Sequence, residues 1–544
     1  MTYKIVLTSD RATMTDYSGA QWLGFLLCIP YRLVPRFLLM NILAPPIKAD
    51  SEGRAKLAPY ALRKIEAALY AAGFQEDEVA VVPPEALEKA IGLDTAVVGV
   101  HVLDPLGLAP VPHTLRSLMG GGSTCTEFLF LQLWQRLLRL KEKFGFKLIV
   151  GGPGVWQIRN HRAKLGIDCV VDGEGELIFP ELCRMALEGR ELPAEVDGDS
   201  VPVEKIPVIR GPARSGMVQI TRGCPRRCQF CNPTMFNFRS IPLDIVLAEA
   251  EVNVRGGFRE IGLVTEDGLL YGARGIRINR RALMSLADGL RSLGVKAGFC
   301  HLSFASVVDG RDVLEDWAHT FYYDVEPEFP QVGLETGSPR LIKRYMAGKP
   351  RPWKPEDWPW LVMEGTSIMN DNGLFPCNTM ILGLPGETEK DVVSTMELVE
   401  DLRGHGCWLF PLLFVPIGRS MLERERFAYL KETFSPLHWE LLAMCFDHDL
   451  VFSRKALGML ARYVKNPMAR KLATFFISMG MDAVEAVSDR LLRDPYGLIM
   501  QASRLNLFSA GLRDLASLAF RRLRFRMQRT SMAIPACSPG SRPP

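Results

Sequence analysis

The sequence predicts an α/β protein: a doubly wound parallel sheet first, a full or partial (β/α) barrel next, and a helical C-terminal region. Three observations predict it. Over residues 1–205, short β-rich runs alternate with helical stretches. A second alternating series, six strand-then-helix repeats, begins at Gly216. Near residue 420 the strands stop.

In the first series the predicted strands are Lys4–Ser9, Glu78–Pro83, Ala96–Val102, Lys147–Val150 and Cys169–Asp172, with helices such as Tyr60–Ala72 and Glu127–Phe144 between them. Residues 190–214 are rich in Pro, Gly and Asp and read as a linker or a long crossing loop. The second series places strands at Met217–Thr221, Glu260–Thr265, Ala297–Ser303, Gln331–Leu334, Asn378–Leu382 and Leu409–Val415. Helices Leu243–Arg255, Arg281–Leu293 and Glu389–Leu402 separate some of them. Beyond 420 the pattern predicts helices over Met421–Thr433, Pro436–Phe446, Ser453–Val464, Met468–Ser478 and Leu505–Met527. The expected organisation is 1–205, 206–420, 421–530, and a disordered tail over 531–544.

Composition narrows the function. The 544 residues are 48% hydrophobic and 23% charged, which excludes a mainly disordered, collagen-like or disulfide-knot chain. Lys+Arg 65 against Asp+Glu 61 is too even for a dedicated nucleic-acid binder, so no nucleic-acid partner is expected. Of 12 cysteines, nine are scattered and three fall within eight residues, which points to a reducing compartment and one metal site. The N-terminus reads as a strand and not as a signal peptide, so a cytoplasmic protein is expected. The apolar segment Trp22–Pro46 is interrupted by Arg32, Arg36 and prolines, and reads as core or as a surface-docking segment, not as a span.

The three clustered cysteines are Cys224, Cys228 and Cys231, in Thr-Arg-Gly-Cys-Pro-Arg-Arg-Cys-Gln-Phe-Cys-Asn over 221–232. They follow a predicted strand directly, so they lie on a loop at a strand C-terminus. Three thiolates on one short loop can ligate three irons of a [4Fe–4S] cluster and leave the fourth iron open. Zinc is the alternative, but it wants four ligands, and the next cysteine downstream is Cys300.

This C-x3-C-x2-C spacing, with Phe230 before the third cysteine, resembles the radical S-adenosylmethionine superfamily. The resemblance implies a [4Fe–4S] cluster that binds S-adenosylmethionine and cleaves it to a 5′-deoxyadenosyl radical. Further motifs follow in the expected order over about 215–420. Thr265, Glu266 and Asp267 end the second strand, where the family binds the amino group of S-adenosylmethionine; a helix N-cap is the plainer reading. Glu335 and Thr336, within Gly333–Ser338, resemble the ribose-contact segment, or form an ordinary turn. Ile381 and Gly383, within Met380–Glu387, resemble the segment flanking the adenine, although Thr379 stands where the family often has glycine. Phe230 packs beside the adenine or in the core. Arg222 orients a carboxylate or faces solvent.

Upstream, Val150–Gly154 carries Gly151 and Gly152, and Asp172–Glu176 carries Gly173 and Glu174. As a pair before such a core they resemble the cobalamin-binding class of the superfamily, whose flavodoxin-like domain buries the cofactor's tail beside a Gly-Gly turn. The departure lies in the loop Ser9–Gly19, which lacks the histidine of the usual Asp-x-His-x-x-Gly signature. Only His101, His113 and His161 precede residue 205; His113 is the candidate for a cobalt role, but a lone histidine is more often structural than a ligand. Either cobalamin binds without a protein histidine or the domain has lost it. The Gly/Pro-rich loops Asp104–Thr114 and Gly120–Gly122 line the cofactor cleft or lie at the surface, and His301, Asn378, Trp408 and Phe410 lie near strand ends that could face substrate.

Between Arg504 and Arg529 seven Arg stand against one Asp, with an apolar stripe that suits peripheral membrane contact or packing on the barrel. The first expectation is cobalamin-dependent methylation of an unactivated carbon. The second is ring formation, coupling or rearrangement with an empty cobalamin-like domain, on a small molecule or a lipid. Both need an electron donor such as flavodoxin or ferredoxin. A non-catalytic Fe–S carrier is the third expectation, but it has no use for a barrel and an open iron.

Overall fold

A computed structural model describes residues 2–17, 21–198, 200–232, 237–321 and 327–460. The helices expected at 468–478 and 505–527, and the tail, lie outside these residues. Met1–Phe452 forms one compact unit and Ser453–Pro544 a second.

The first sheet holds six parallel strands: β1 (Ile5–Ser9), β2 (Val79–Val81), β3 (Val97–His101), β4 (Lys147–Gly151), β5 (Cys169–Gly173) and β6 (Glu195–Gly198), in the order β2-β1-β3-β4-β5-β6. Their apolar runs are buried on both faces because helices cover both. Val98, Val100, Leu148 and Val150 pack on one side against Phe130, Trp134 and Leu137 of helix Cys125–Phe144. Ile5, Leu7, Ile149 and Val171 pack on the other against Leu62 and Leu69 of helix Tyr60–Ala71 and Phe179 of helix Ile178–Leu187. The linker expected over 190–214 is thus partly a strand: β6 pairs parallel to β5, and its polar residues suit a sheet edge.

The barrel strands are β7 (Val218–Gln219), β10 (Glu260–Val264), β11 (Lys296–Phe299), β12 (His301–Leu302), β13 (Gln331–Glu335), β14 (Cys377–Leu382) and β15 (Trp408–Leu413). A short antiparallel pair, β8 (Thr221–Arg222) with β9 (Arg239–Ser240), clasps the base of the cysteine loop. The strand expected over Ala297–Ser303 breaks at Cys300. Its N–H donates to Leu263 O of β10 and its carbonyl accepts from Gln331 N of β13, so one residue carries the arc from one sheet to the next. The result is an open arc of six parallel positions, β7-β10-β11/β12-β13-β14-β15.

Two helical expectations are corrected beyond β15. Met421–Thr433 is helical only over Leu430–Thr433. Pro436–Leu460 is one continuous helix where two were expected.

Candidate functional site

In a barrel of parallel strands, chemistry collects at the strand C-termini. The cysteine loop leaves β8 there, turning through positive φ at Gly223 and Arg227. Arg226 fixes its shape. That side chain is buried and donates to Asp267 Oδ2 (3.0 Å), to Lys349 O (2.7 Å) and Arg351 O, and to Ser306 Oγ. Asn232 Nδ2 donates to Gly418 O (2.7 Å) at the far end of the loop.

Burial pushes the Cys224 thiol up to about 12 and raises Cys228. It raises Cys231 well above the ordinary thiol value, with the Glu266 carboxylate adding to the effect. Thiols so disfavoured as free anions become thiolates when a metal takes the proton's place. No three His, Cys, Asp or Glu among the described residues approach closely enough to hold one metal ion. A cluster does not require that, because its thiolates bind three different irons. Three thiols on one loop, one buried and two partly buried, fit a [4Fe–4S] group.

The two acids after β10 have different surroundings. Asp267 Oδ2 is taken by Arg226 and by Ser306 Oγ (2.6 Å), while its Oδ1 is buried without a partner among the described residues. Glu266 lines the cavity described below, its carboxyl raised by burial, with His301 opposing. Thr265 Oγ1 shares a hydrogen bond with Thr221 Oγ1 (2.7 Å) and accepts from Asp267 N, so it ties the ends of adjacent strands. An orphaned carboxylate oxygen and a second acid, exposed at the cavity beside the cysteines, suit a ligand ammonium.

Glu335 ends β13 with φ +64, at a register shift against β14. Trp358 Nε1 donates to Leu334 O and Thr336 O (3.1 Å each), holding the chain on both sides of that turn. Glu335 Oε1 accepts from Lys349 Nζ (2.6 Å). Burial opposes the Lys349 ammonium, but Glu335 and the Cys228 side chain more than compensate. Thr336 is spent on structure: its hydroxyl meets Thr395 Oγ1 (3.0 Å). Gly337 permits a close approach of the backbone, since a Cβ there would stand 2.3 Å from Ser394 O.

Ile381 is partly exposed on the inner side of β14, and Phe230 packs against the barrel core. Gly383, at φ +82, donates its N–H to Glu387 Oε2 (2.7 Å), which His438 Nε2 also meets at 3.0 Å. Asn378 and Trp408 stand at the starts of their strands, away from the C-terminal ends where substrate was expected, and Trp408 packs on Phe329 and Phe452.

The C-terminal edge of the first sheet and that of the barrel enclose a cavity of about 340 Å³. Gly151, Gly152, Gly173 and Glu174 line it from one side, and Thr221, Arg222, Thr265 and Glu266 from the other. The glycines make close strand packing possible. A Cβ on Gly152 would stand 2.6 Å from Val102 O, and one on Gly173 2.3 Å from Gly198 O. Glu174 is tied inside the protein: it accepts from Arg222 Nη1 (2.7 Å), Arg239 and Val201 N, while Arg222 also grips Glu176. Arg222 does orient carboxylates, and they belong to the first sheet.

Sequence reasoning missed Lys349, Arg226 and His101. His101 ends β3 and lines the cavity, and its Nδ1 has no partner among the described residues. Burial, then Arg214, pushes its pKa down to about 4, so the imidazole is neutral. Its place at a strand C-terminus is the signal that could have found it. His113 instead donates from Nε2 to Ala428 O (2.8 Å), against Phe427 and Tyr429, outside the cavity's lining.

Residues 218–399 match the family model of the radical SAM superfamily. Its members use a [4Fe–4S] cluster and S-adenosylmethionine. Among curated relatives, the chain is 28% identical to tRNA-2-methylthio-N(6)-dimethylallyladenosine synthase of Syntrophomonas wolfei, over 50% of this chain and 60% of that one. It is 24% identical to an uncharacterized methyltransferase of Pyrococcus horikoshii, over 43% and 53%. The chain thus spans about half the length of the curated relatives it matches. Among solved structures it is similar to the radical S-adenosylmethionine methyltransferase TsrM of Kitasatospora setae with cobalamin and a [4Fe–4S] cluster bound. That match has a TM-score of 0.50 and 15% identity over 77% of each chain. TsrM with tryptophan and a SAM analogue gives 0.52 at 16% identity, over 77% of this chain and 75% of that one. The likeness is one of fold.

Proposed function

We propose that this radical SAM chain is an enzyme that cleaves S-adenosylmethionine reductively and uses cobalamin to methylate an unactivated carbon. The observation that carries the reading is the loop of Cys224, Cys228 and Cys231, wholly or partly buried, beside the acids Glu266 and Asp267 at the next strand's end. When bound, a [4Fe–4S] cluster with S-adenosylmethionine supplies a 5′-deoxyadenosyl radical for hydrogen abstraction, and cobalamin supplies the methyl relay. The three cysteines hold the cluster. Glu266 and Asp267 Oδ1 receive the ammonium of S-adenosylmethionine, Glu335 its ribose, and Ile381 and Gly383 flank the adenine with Phe230 beside them. Arg226 and Asp267 keep the cysteine loop in shape.

The TsrM-like fold and the cavity at the edge of the first sheet support cobalamin binding. The near-even charge supports a small-molecule or lipid acceptor over the tRNA named for the relatives above. A flavodoxin or ferredoxin in the cytoplasm would be the electron donor.

The test is anaerobic purification with cobalamin supplied, followed by iron and cobalt counts and a search for 5′-deoxyadenosine. Iron near about four per chain with stoichiometric cobalt supports methylation. The same iron without cobalt moves the chemistry to ring formation, coupling or rearrangement. Zinc that persists after cluster reconstitution overturns the proposal.

A further inference from the structure

The apolar segment between β1 and helix Tyr60–Ala71 has two apolar faces. Leu27, Val34, Leu39 and Leu43 are buried in a local core with Leu129 of helix Cys125–Phe144. That inner face is enough to anchor the segment. The outer face stays bare: Phe37 is 71% exposed, Ile42 49%, and Phe25, Leu26 and Leu38 more than a third each. Helical turns at Arg36–Leu38 and Leu39–Leu43 put Phe37, Leu38 and Ile42 outside and Leu39 and Leu43 inside.

The segment's own charges have one sign. No Asp or Glu occurs from Tyr17 to Ala49, while Arg32, Arg36 and Lys48 do. Arg32 reaches back to Met119 O (2.8 Å), which fixes the segment to the body of the protein. At its inner end Phe25 stacks on Phe410 of β15, with ring centroids 5.6 Å apart, which ties the segment to the barrel. Exposed large apolar side chains beside unopposed cations suit lipid headgroups over hydrocarbon. No helix of the described residues is long and apolar enough to cross a membrane, so the contact would be peripheral.

We propose that Phe25–Ile42 is a docking surface for an anionic phospholipid bilayer. Phe37, Leu38 and Ile42 enter the interface and Arg32 and Arg36 meet the headgroups. This inference does not depend on the radical chemistry proposed above.

The test is flotation of the full chain with phosphatidylcholine vesicles, with and without about a third phosphatidylglycerol. Hydrogen exchange of peptides covering 30–46 is measured before and after vesicles are added. The expected result is flotation with the anionic vesicles and slowed exchange in those peptides. The pair Phe37→Ser with Ile42→Ser should weaken binding about tenfold or more, and Arg36→Glu should weaken it several-fold and lower its dependence on phosphatidylglycerol. Unchanged thermal melting confirms that the variants fold. Three results would overturn the proposal. One is no flotation. Another is flotation indifferent to these substitutions, which moves the contact elsewhere, such as 504–529. The last is full exchange protection of 30–46 before any vesicle is added, which means the face is already covered by this chain or a second copy.

Discussion

The two sheets follow the same strand-then-helix alternation, yet their strands are buried in different patterns. β1 and β2 of the first sheet are buried at every residue. β14 of the barrel leaves alternate residues partly exposed, Cys377, Thr379 and Ile381, and β15 leaves Trp408, Phe410, Pro411 and Leu412 partly exposed. The cause is what covers each face. Helices close both faces of the first sheet, whereas the barrel's inner face looks into an open lumen. A period of two in burial therefore marks the surface that receives a ligand, and continuous burial marks a sheet that offers only its edge.

The largest expected effect falls on the barrel alone. Cys224→Ala, Cys228→Ala or Cys231→Ala should abolish cluster iron and 5′-deoxyadenosine formation, while the first sheet and its cavity stay folded. Retained cleavage in any of the three would sink the site assignment.

Next comes the seam between the sheets. Arg222→Ala leaves the buried Glu176 without its guanidinium and Glu174 with Arg239 alone, at a cost of about 3–5 kcal/mol, readable by urea unfolding. The same seam sets a pH dependence. Burial raises the Glu174 carboxyl, but Arg222, Arg239 and the Val201 amide outweigh it, and the net shift is downward. Its contribution to stability is therefore complete above the unfolded value of about 4.3 and lost as pH falls through the folded one. Melting temperatures from about pH 5 to pH 3 should fall less in Arg222→Ala than in the wild type. Parallel slopes would show that other carboxylates dominate.

Glycines sharpen the contrast. Gly152→Ala, at φ +113 and against Val102 O, should destabilise by about 2–4 kcal/mol. Gly262→Ala, inside the barrel with only ordinary contacts near its Cβ, should change stability by less than about 0.5 kcal/mol. Equal melting shifts would contradict the two burial patterns.

The smallest effect separates the two neighbouring acids. Glu266→Gln should weaken S-adenosylmethionine binding about tenfold with the iron count intact. Asp267→Asn should also lower the iron content, because it loosens Arg226 and the cysteine loop. Iron content unaffected by Asp267→Asn would show that the loop does not depend on that pair.

Much of this was legible in the sequence, for reasons that differ by region. The doubly wound sheet announced itself through continuous apolar runs, and the cysteine loop through spacing that few other sites need. β6 was hidden because Glu195–Gly198 has the composition of a loop and is a strand only by pairing at an edge. The spent hydroxyl of Thr336 and the pairing of Asp267 with Arg226 were invisible because their partners lie 59 and 41 residues away. Lys349 and His101 belong to no motif; only the fold brings the ammonium to Glu335 and the imidazole to the cavity.

The Arg222 seam bears on interchangeability. A doubly wound sheet set before a barrel looks like a cassette that could be moved from one chain to another. Here the join is a keyed fitting: Glu174 and Glu176 fit only a barrel that presents guanidinium groups where Arg222 and Arg239 stand. Transplanting this sheet onto a barrel without them would strand two carboxylates in a dry seam, and the chimera would fail at the joint before any chemistry was tested.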